Sequence, residues 1–518
     1  VNVLVPAAPI LIVAIGALLL MLAEAFGAPV KTAEAGEGLG PIDAGAGRSG
    51  ELALGASVIL FAGAIVSLAV WWAGVADASA PGLAPYLVMD RFSLFFCFTL
   101  CLGGALSALL AGGYLPEHGM DRGEFFPLIL LSTVGSMALA AAGDLLTLFI
   151  ALETMSLGVY CMIGLRRGST RASEAALKYF LLGSFAAALL LFGGALLYGA
   201  TGHTDLVGIG TALRPMLAQP NGGTALAMAG FVLMLVGLAF KVSAVPFHMW
   251  TPDAYEGAPT PTTSYMAVAV KSAAFAVLVR VVLTSFGSAE LASWGTGWPP
   301  VLAVLALLSM TVANLIAGRQ TSVKRMLAYS SIAHAGYALV GLIAAAGKPE
   351  LVSSVLYYML AYTVSTAGAF GALVLCGSRG AEAVSYADLA GLGKRHPPAA
   401  LAFSLFLLSL AGSPPTAGFF GKLYVFSAGL KAAPENPFLY VLVVAGLLNS
   451  VLGAYYYLRV LVFMYMREPE PGAPVAKPMR SGYVGFALAV AAILVLALGI
   501  WPGTSLDVAS AATLPGGP

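Results

Sequence analysis

GLAFKVSAVPFHMWTPDAYEGAPTPTTSYMAVAVKSAAFAVLVRV occupies residues 237–281. The stretch runs apolar into Lys241, meets Pro246, crosses a polar segment to Thr263 and turns apolar again through Lys271 to Val281. Pro246 lacks the amide donor that a helix interior requires, so the helix breaks just after a lysine. Residues 409–426, SLAGSPPTAGFFGKLYVF, repeat the device: Gly412, Ser413, Pro414, Pro415 and Gly418 interrupt an apolar run shortly before Lys422. Broken backbone is tolerated at membrane depth only against protein or water, so a pair of such helices points to an ion site near the midplane.

The rest of the chain has the composition that such helices need. Of 518 residues 59% are apolar and only 9% charged, against roughly a quarter charged in soluble proteins. Apolar runs of about 20 residues, each able to cross a hydrocarbon core of roughly 30 Å as a helix, recur from end to end. About 14 spans are predicted, centred near Val13, Phe61, Leu102, Thr133, Leu152, Ala188, Leu235, Phe275, Ala306, Ala335, Thr366, Leu410, Leu447 and Val490. Span 1 is read as a helix rather than a signal peptide, because no basic segment precedes it. The fold class is an all-α polytopic membrane protein, with spans 7 and 12 broken.

Loop charge sets the expected orientation, since positively charged loops stay on the cytoplasmic side. Numbered by the preceding span, odd loops hold fifteen lysines and arginines and even loops four, namely Arg91, Arg214, Lys348 and Lys431. Odd loops are therefore predicted to be cytoplasmic, and both termini periplasmic. Val279-Arg280-Val281 at the end of span 8 matches Leu458-Arg459-Val460 at the end of span 13. An offset of roughly 175 to 180 residues is about five helices, and five is odd, so the second copy enters from the opposite face. Arg280 is expected near the outer face and Arg459 near the cytoplasmic one. The chain reads as a single membrane domain, 1–518, comprising N-terminal helices 1–3 in 1–122, inverted five-helix repeats in 123–285 (spans 4–8) and 298–467 (spans 9–13), and a C-terminal helix in 480–502. Residues 24–51, rich in Gly and Ala, read as a flexible excursion.

An ionisable residue at a bilayer centre costs at least about 2.5 kcal/mol. Glu153 lies mid-span in FIALETMSLGVY, with Lys241 before one break, Lys271 within span 8 and Lys422 after the other break. These four are the candidate proton path. Lysine suits the task because burial favours its neutral form and a nearby carboxylate its charged form. Releasing a proton near pH 7 from an ordinary value near 10.4 takes about 3.4 pH units, or roughly 4.6 kcal/mol. Movement of Glu153 toward or away from Lys241 could supply much of that, after which Lys271 would relay toward Lys422. Three further residues are candidates. Lys178 either joins the path or pairs with Glu174 one turn earlier; His248 either gates or sits as an interfacial histidine; His334 shares a polar stripe with Ser330, Ser331 and Tyr337 that either holds water or packs helices. Lys324 and Arg325 read as orientation charges, and Asp253 and Glu256 as structural contacts.

Cys97, Cys101, Cys161 and Cys376 fall within apolar spans and form no CxxC or Cys/His cluster, so no iron-sulfur or haem ligation is expected. No phosphate loop, HExxH or nucleophile elbow is present. No cofactor or metal is expected in this chain, and no nucleic-acid partner.

The stretch 240–281 resembles the antiporter-like membrane subunits of respiratory NADH:quinone oxidoreductase, complex I. YEGAPTP at 255–261, residues 174–202 and LNSVLGAYYYLRV at 448–460 extend the likeness, which is strongest to the subunit N branch. The resemblance implies a path of a span 5 glutamate, lysines on spans 7 and 8 and a charged residue on span 12, matching Glu153, Lys241, Lys271 and Lys422. It also implies a break in span 8, for which the sequence near Lys271 offers no proline or glycine pair. It further implies partner complex I subunits, including sister antiporter-like ones, which carry NAD, FMN, iron-sulfur clusters and quinone, in a bacterial inner membrane. Alternatives sharing the lysines are a subunit of an Mrp-type cation/proton antiporter or of a membrane-bound hydrogenase. A non-transporting scaffold is a further alternative of another class.

Overall fold

The computed structural model describes residues 4–26, 48–74, 82–120, 122–166, 168–217, 224–295, 297–377, 380–469, 475–512 and 514. Most of the 24–51 excursion lies outside the described residues. Twelve of the described helices are long and apolar enough to cross a membrane. The predicted spans 4 and 12 coincide with shorter apolar helices, which length alone would not identify as crossings.

Three helices come first: α1 (Ala8–Phe26), α2 (Arg48–Trp72) and α3 (Arg91–Glu117). Then follow α4 (Phe125–Ala140), α5 (Leu145–Ile163), α6 (Thr170–Thr201), the short α7 (Leu206–Leu217) and α8 (Thr224–Val242). After the first break come α9 (Trp250–Gly257) and α10 (Thr260–Tyr265), a π-helical turn Met266–Val270, and α11 (Lys271–Ser285). Beyond them lie α12 (Pro299–Ala317), α13 (Val323–Ala344), α14 (Ser353–Cys376) and the four-residue α15 (Leu392–Arg395). The second break separates α16 (Pro397–Ala411) from α17 (Ala417–Ala432); α18 (Phe438–Met466), α19 (Gly482–Ile500) and α20 (Pro502–Ala511) complete the chain.

Polar residues mark where these helices start. Asp90 and Asp144 accept from Ser93 N and Thr147 N at 2.8 Å, and Ser322 accepts from Arg325 N at 3.2 Å, each satisfying an amide the first turn leaves free. Small residues let helices touch. At the α6/α8 crossing a Cβ on Gly193 would lie 2.5 Å from Gly230 O, and one on Gly230 2.7 Å from Gly193 O, so the backbones meet directly.

Loops pair by parity. Val88 N donates to Ala141 O at 2.8 Å and Leu145 N to Thr204 O at 2.9 Å, joining loops 2, 4 and 6 at one end. Gly380 N donates to Glu117 O at 3.0 Å and Val323 N to Val384 O at 2.7 Å, joining loops 3, 9 and 11 at the other. Arg280 belongs to the first end, donating to both oxygens of Asp90 at 2.9 Å and to Ala140 O at 3.1 Å. Arg459 belongs to the second, over the Tyr386 ring at 4.4 Å and donating to Gly318 O at 3.3 Å.

α6 packs along both α8 and α9, and α14 along both α16 and α17, so each broken helix has an unbroken partner behind it. Apolar windows of α3, α13 and α14 are 94% buried, against 28% in α1 and 33% in α18 and α19. The centre of the bundle is thus α3, α10–α11, α13 and α14, and the two breaks open toward it.

Candidate proton-transfer site

Four residues after Pro246, the chain resumes its helix with Trp250, whose Nε1 donates at 3.0 Å to Phe240 O, a carbonyl that also accepts from Ser243 N at 3.1 Å. Ser243 ends α8 with φ 65, the one non-glycine residue in left-handed backbone among the described residues. Holding a serine there costs on the order of 1–3 kcal/mol. Thr251 Oγ1 donates to Ser243 Oγ at 2.8 Å, and Val245 N to Ser309 Oγ at 2.9 Å, pinning the strained segment. At the second break Gly412 adopts φ 90 without that cost.

Lys241, on the last turn of α8, is 2% exposed and donates to Ser156 Oγ at 2.9 Å. Tyr179, Tyr160 and Phe240 surround its ammonium at 5.5, 5.8 and 5.9 Å from their ring centres. Ser156 stands three residues after Glu153, so both face α8 from one side of α5. Glu153 is half-buried; its Oε1 is enclosed without a protein hydrogen-bond partner, and no ion pair joins it to Lys241.

Lys271 follows directly on the π-helical turn. That turn is the irregularity in span 8 which the sequence hid: a π turn inserts one residue into the helical ladder and needs neither proline nor glycine. Lys271, 2% exposed, donates to Ser331 O at 2.7 Å and to Ser331 Oγ. Beside it Ser330 Oγ bonds Tyr457 Oη, which lies 3.1 Å from His334 Nε2, while His334 Nδ1 lies 2.6 Å from Tyr358 Oη. Beyond Tyr358 a small cavity, lined by His334, Ser365, Ser409 and Gly421 among others, reaches the second break. Ser365 and Ser409 are bonded at 2.7 Å there. Lys422, 7% exposed, donates to Ala411 O at 2.9 Å, a carbonyl freed where α16 ends, and lies 5.2 Å from the Tyr337 ring centre.

Lys271, His334 and Lys422 therefore share one polar strip along α13. The Tyr179 ring beside Lys241 stacks on Trp250 at 4.3 Å, and Trp250 in turn packs edge-on against Tyr255 at 6.3 Å. The hydroxyls of Tyr160, Tyr179, Tyr255 and Tyr362 and Thr366 Oγ1 are buried and make no hydrogen bond of 3.5 Å or less to the protein. Such groups in proteins are met by water.

The remaining candidates lie off the strip. Lys178 is half-exposed and pairs with Glu174 at 2.7 Å and Asp253 at 3.0 Å. Arg325 also pairs with Asp253, at 2.9 Å. Burial opposes charge on Asp253, but the two cations hold its carboxyl below the usual range. His248 sits half-buried in the first break, its Nδ1 without a partner. Sequence reasoning missed Ser156, Tyr358 and Tyr457. Ser156 could have been found from its spacing to Glu153; the tyrosines come from α14 and α18 and carry no local signal. No group of three His, Cys, Asp or Glu suited to a metal ion occurs among the described residues.

Known proteins resemble this chain in sequence, and chains of solved structures share its arrangement of helices. A family model described as NADH:quinone oxidoreductase/Mrp antiporter, TM matches residues 142–453, which include Glu153, Lys241, Lys271 and Lys422. Over 508 residues the chain is 66% identical to NADH-quinone oxidoreductase subunit N 1 of Sorangium cellulosum (strain So ce56), covering 98% of this chain and 97% of that one. The chain belongs to the NADH-quinone oxidoreductase subunit N family. Subunit N of Trichlorobacter lovleyi is 44% identical over 434 residues, 82% of this chain and 84% of the relative. A chain of respiratory complex I from Thermus thermophilus with bound aureothin superposes with a TM-score of 0.74 at 34% identity, over 97% of this chain and 99% of that one. A chain of the Mrp complex from Dietzia sp. DQ12-45-1b, at 22% identity and TM-score 0.79 over 98% and 96%, shares the fold.

Proposed function

We propose that this subunit of NADH-quinone oxidoreductase carries protons along Glu153, Lys241, Lys271, His334 and Lys422, while quinone is reduced in other subunits of the complex. The observation that carries the reading is the strip from Lys271 through Ser330, Ser331, Tyr457, His334 and Tyr358 to the break beside Lys422. Its groups alternate donors and acceptors that can exchange protons, in an interior otherwise lined by apolar side chains. Three buried lysines at about 2.5–3.5 kcal/mol each would weigh roughly 8–10 kcal/mol against the fold, which packing alone does not explain.

Each break contributes chemically. A carbonyl freed at the end of α16 holds the Lys422 ammonium, and the end of α8 places Lys241 opposite Ser156 and Glu153. A shift of α5 that brings Glu153 against Lys241 favours the charged lysine; withdrawal favours the amine, and the released proton passes to Lys271 through the buried hydroxyls and water. In this reading the redox chemistry, with NAD, FMN, iron-sulfur clusters and quinone, belongs to partner subunits.

The same reading takes the fourteen apolar segments as fourteen crossings in a bacterial inner membrane, with the two broken-helix units as inverted repeats of 123–285 and 298–467. The loop parity observed in the bundle supports it, and the basic excess of the odd loops puts these in the cytoplasm, with both termini outside. The test is Lys271→Met in the assembled complex. The path requires loss of proton pumping together with coupled quinone reduction, whereas a scaffold whose lysines carry nothing keeps both.

A further inference from the structure

At the odd-loop end a second buried carboxylate and lysine meet, away from the strip. Glu382, in the loop after α14, accepts from Thr260 Oγ1 at 2.7 Å and from Tyr114 Oη, and its Oε2 lies 3.4 Å from Lys324 Nζ. Lys324, on the first turn of α13, is fully buried and donates to Ala258 O at 2.6 Å. His118 stacks on Tyr114 with ring centres 3.9 Å apart, its Nε2 buried without a partner; Arg166 and Glu117 are the other charges acting on this cluster. Burial alone would raise the Glu382 carboxyl, but Lys324 and the hydroxyls of Tyr114 and Thr260 hold it down at about 2. It is a fixed anion at neutral pH.

The position of Lys324 relates it to the strip. It precedes Ser331 by seven residues on α13, two turns and roughly 10 Å, so both side chains leave the same face. Ser331 is the group that holds Lys271. Around it stand Tyr255, three residues before the carbonyl that holds Lys324, and Tyr362, one turn from Thr366 on α14. All three hydroxyls are buried and make no hydrogen bond of 3.5 Å or less to the protein, while Tyr255 and Tyr362 both lie beside Ser331 and Tyr362 beside Thr366. The chain thus contains two couples of a glutamate with a buried lysine: Glu382 with Lys324 in contact, Glu153 with Lys241 apart.

We propose that Lys324, set by Glu382, is a further proton-carrying residue, exchanging protons with Lys271 through Tyr255, Tyr362, Thr366 and Ser331 from the odd-loop end. The inference rests on the path reading above. A proton leaves the Lys324 ammonium, which becomes the amine, passes along hydroxyls and water by making and breaking O–H bonds, and arrives on the Lys271 amine, which becomes the ammonium. No electron moves. Glu382 is the positioning residue; contact with it favours the charged Lys324, and separation favours release.

The test is Lys324→Arg in the whole complex, reconstituted in vesicles. Arginine keeps the charge and can face Glu382 but does not deprotonate. Proton pumping is expected to fall at least tenfold with subunit content unchanged; wild-type pumping in Lys324→Arg overturns the proposal and leaves Lys324 a structural cation. Should Lys324→Arg fail to assemble, Glu382→Gln decides. Removing the anion that favours charged Lys324 moves the pH profile of pumping to lower pH, whereas an unmoved profile overturns the proposal. Lys271→Met, measured beside them, separates the two readings. If it also pumps normally, the path itself falls; if it alone is inactive, only the role of Lys324 does.

Discussion

Gly412→Ala perturbs the second break at one atom. The residue turns the chain at φ +90, and a Cβ there would stand 3.0 Å from Lys422 Cδ and 3.5 Å from its Nζ. Two costs follow. Left-handed backbone costs about 1–2 kcal/mol for a residue with a Cβ. Displacing the lysine also loses its 2.9 Å bond to Ala411 O, a charge-assisted hydrogen bond of about 1.5–3 kcal/mol. The sum, roughly 2.5–5 kcal/mol, is large beside the 5–15 kcal/mol typical of a domain. Expressed in proton transfer instead of stability, the lysine share alone is roughly a 10- to 150-fold loss of rate. Melting of the purified complex and pumping in vesicles read the two shares separately. Ser243→Gly is the control: it relieves left-handed strain at the first break while losing the 2.8 Å bond from Thr251, so its net effect should stay within about 1 kcal/mol. Wild-type melting and pumping in Gly412→Ala would refute the assignment of that glycine and of the Lys422 position.

Other substitutions probe separate parts of the structure. Lys178→Met removes ion pairs that solvent largely screens, so pumping should stay within a few-fold of wild type; a complete loss would return Lys178 to the path. Arg280→Ala strands the partly buried Asp90 without its bidentate partner and should destabilise by up to about 3–5 kcal/mol, measured as the denaturant midpoint of the complex. Glu382 gives a pH dependence. Its carboxyl lies lower in the folded chain, about 2 against 4.5, so its contribution is full above about pH 4.5 and is lost as pH falls toward 2. At 1.36 kcal/mol per pH unit that 2.5-unit difference is on the order of 3 kcal/mol. Glu382→Gln should flatten that acid limb in melting curves between pH 5 and 3, and an unchanged limb would contradict the burial of the anion.

Much of this was legible in the sequence because it is local. Apolar runs gave the spans, and prolines and glycines gave both breaks, since each acts on its own backbone. Glu153, Lys241, Lys271 and Lys422 stood out because charge within an apolar run is costly. The turn before Lys271 was not legible, since a π turn leaves no mark in composition. The partners of the lysines were hidden for another reason. Ser331 and His334 come from α13, Tyr358 from α14 and Tyr457 from α18, and only the packing of those helices brings them together. Lys324 looked like an orientation charge, as loop lysines usually are; the carboxylate that buries it lies 58 residues away.

Whether buried lysine carries the proton is decided by Lys241→Ala in an otherwise assembled complex. Proton pumping and quinone reduction are measured side by side in the same membranes. Assembly is expected to be normal, with both activities falling together. Both persisting at the wild-type level, with normal assembly, would make Lys241 a structural charge that carries no proton.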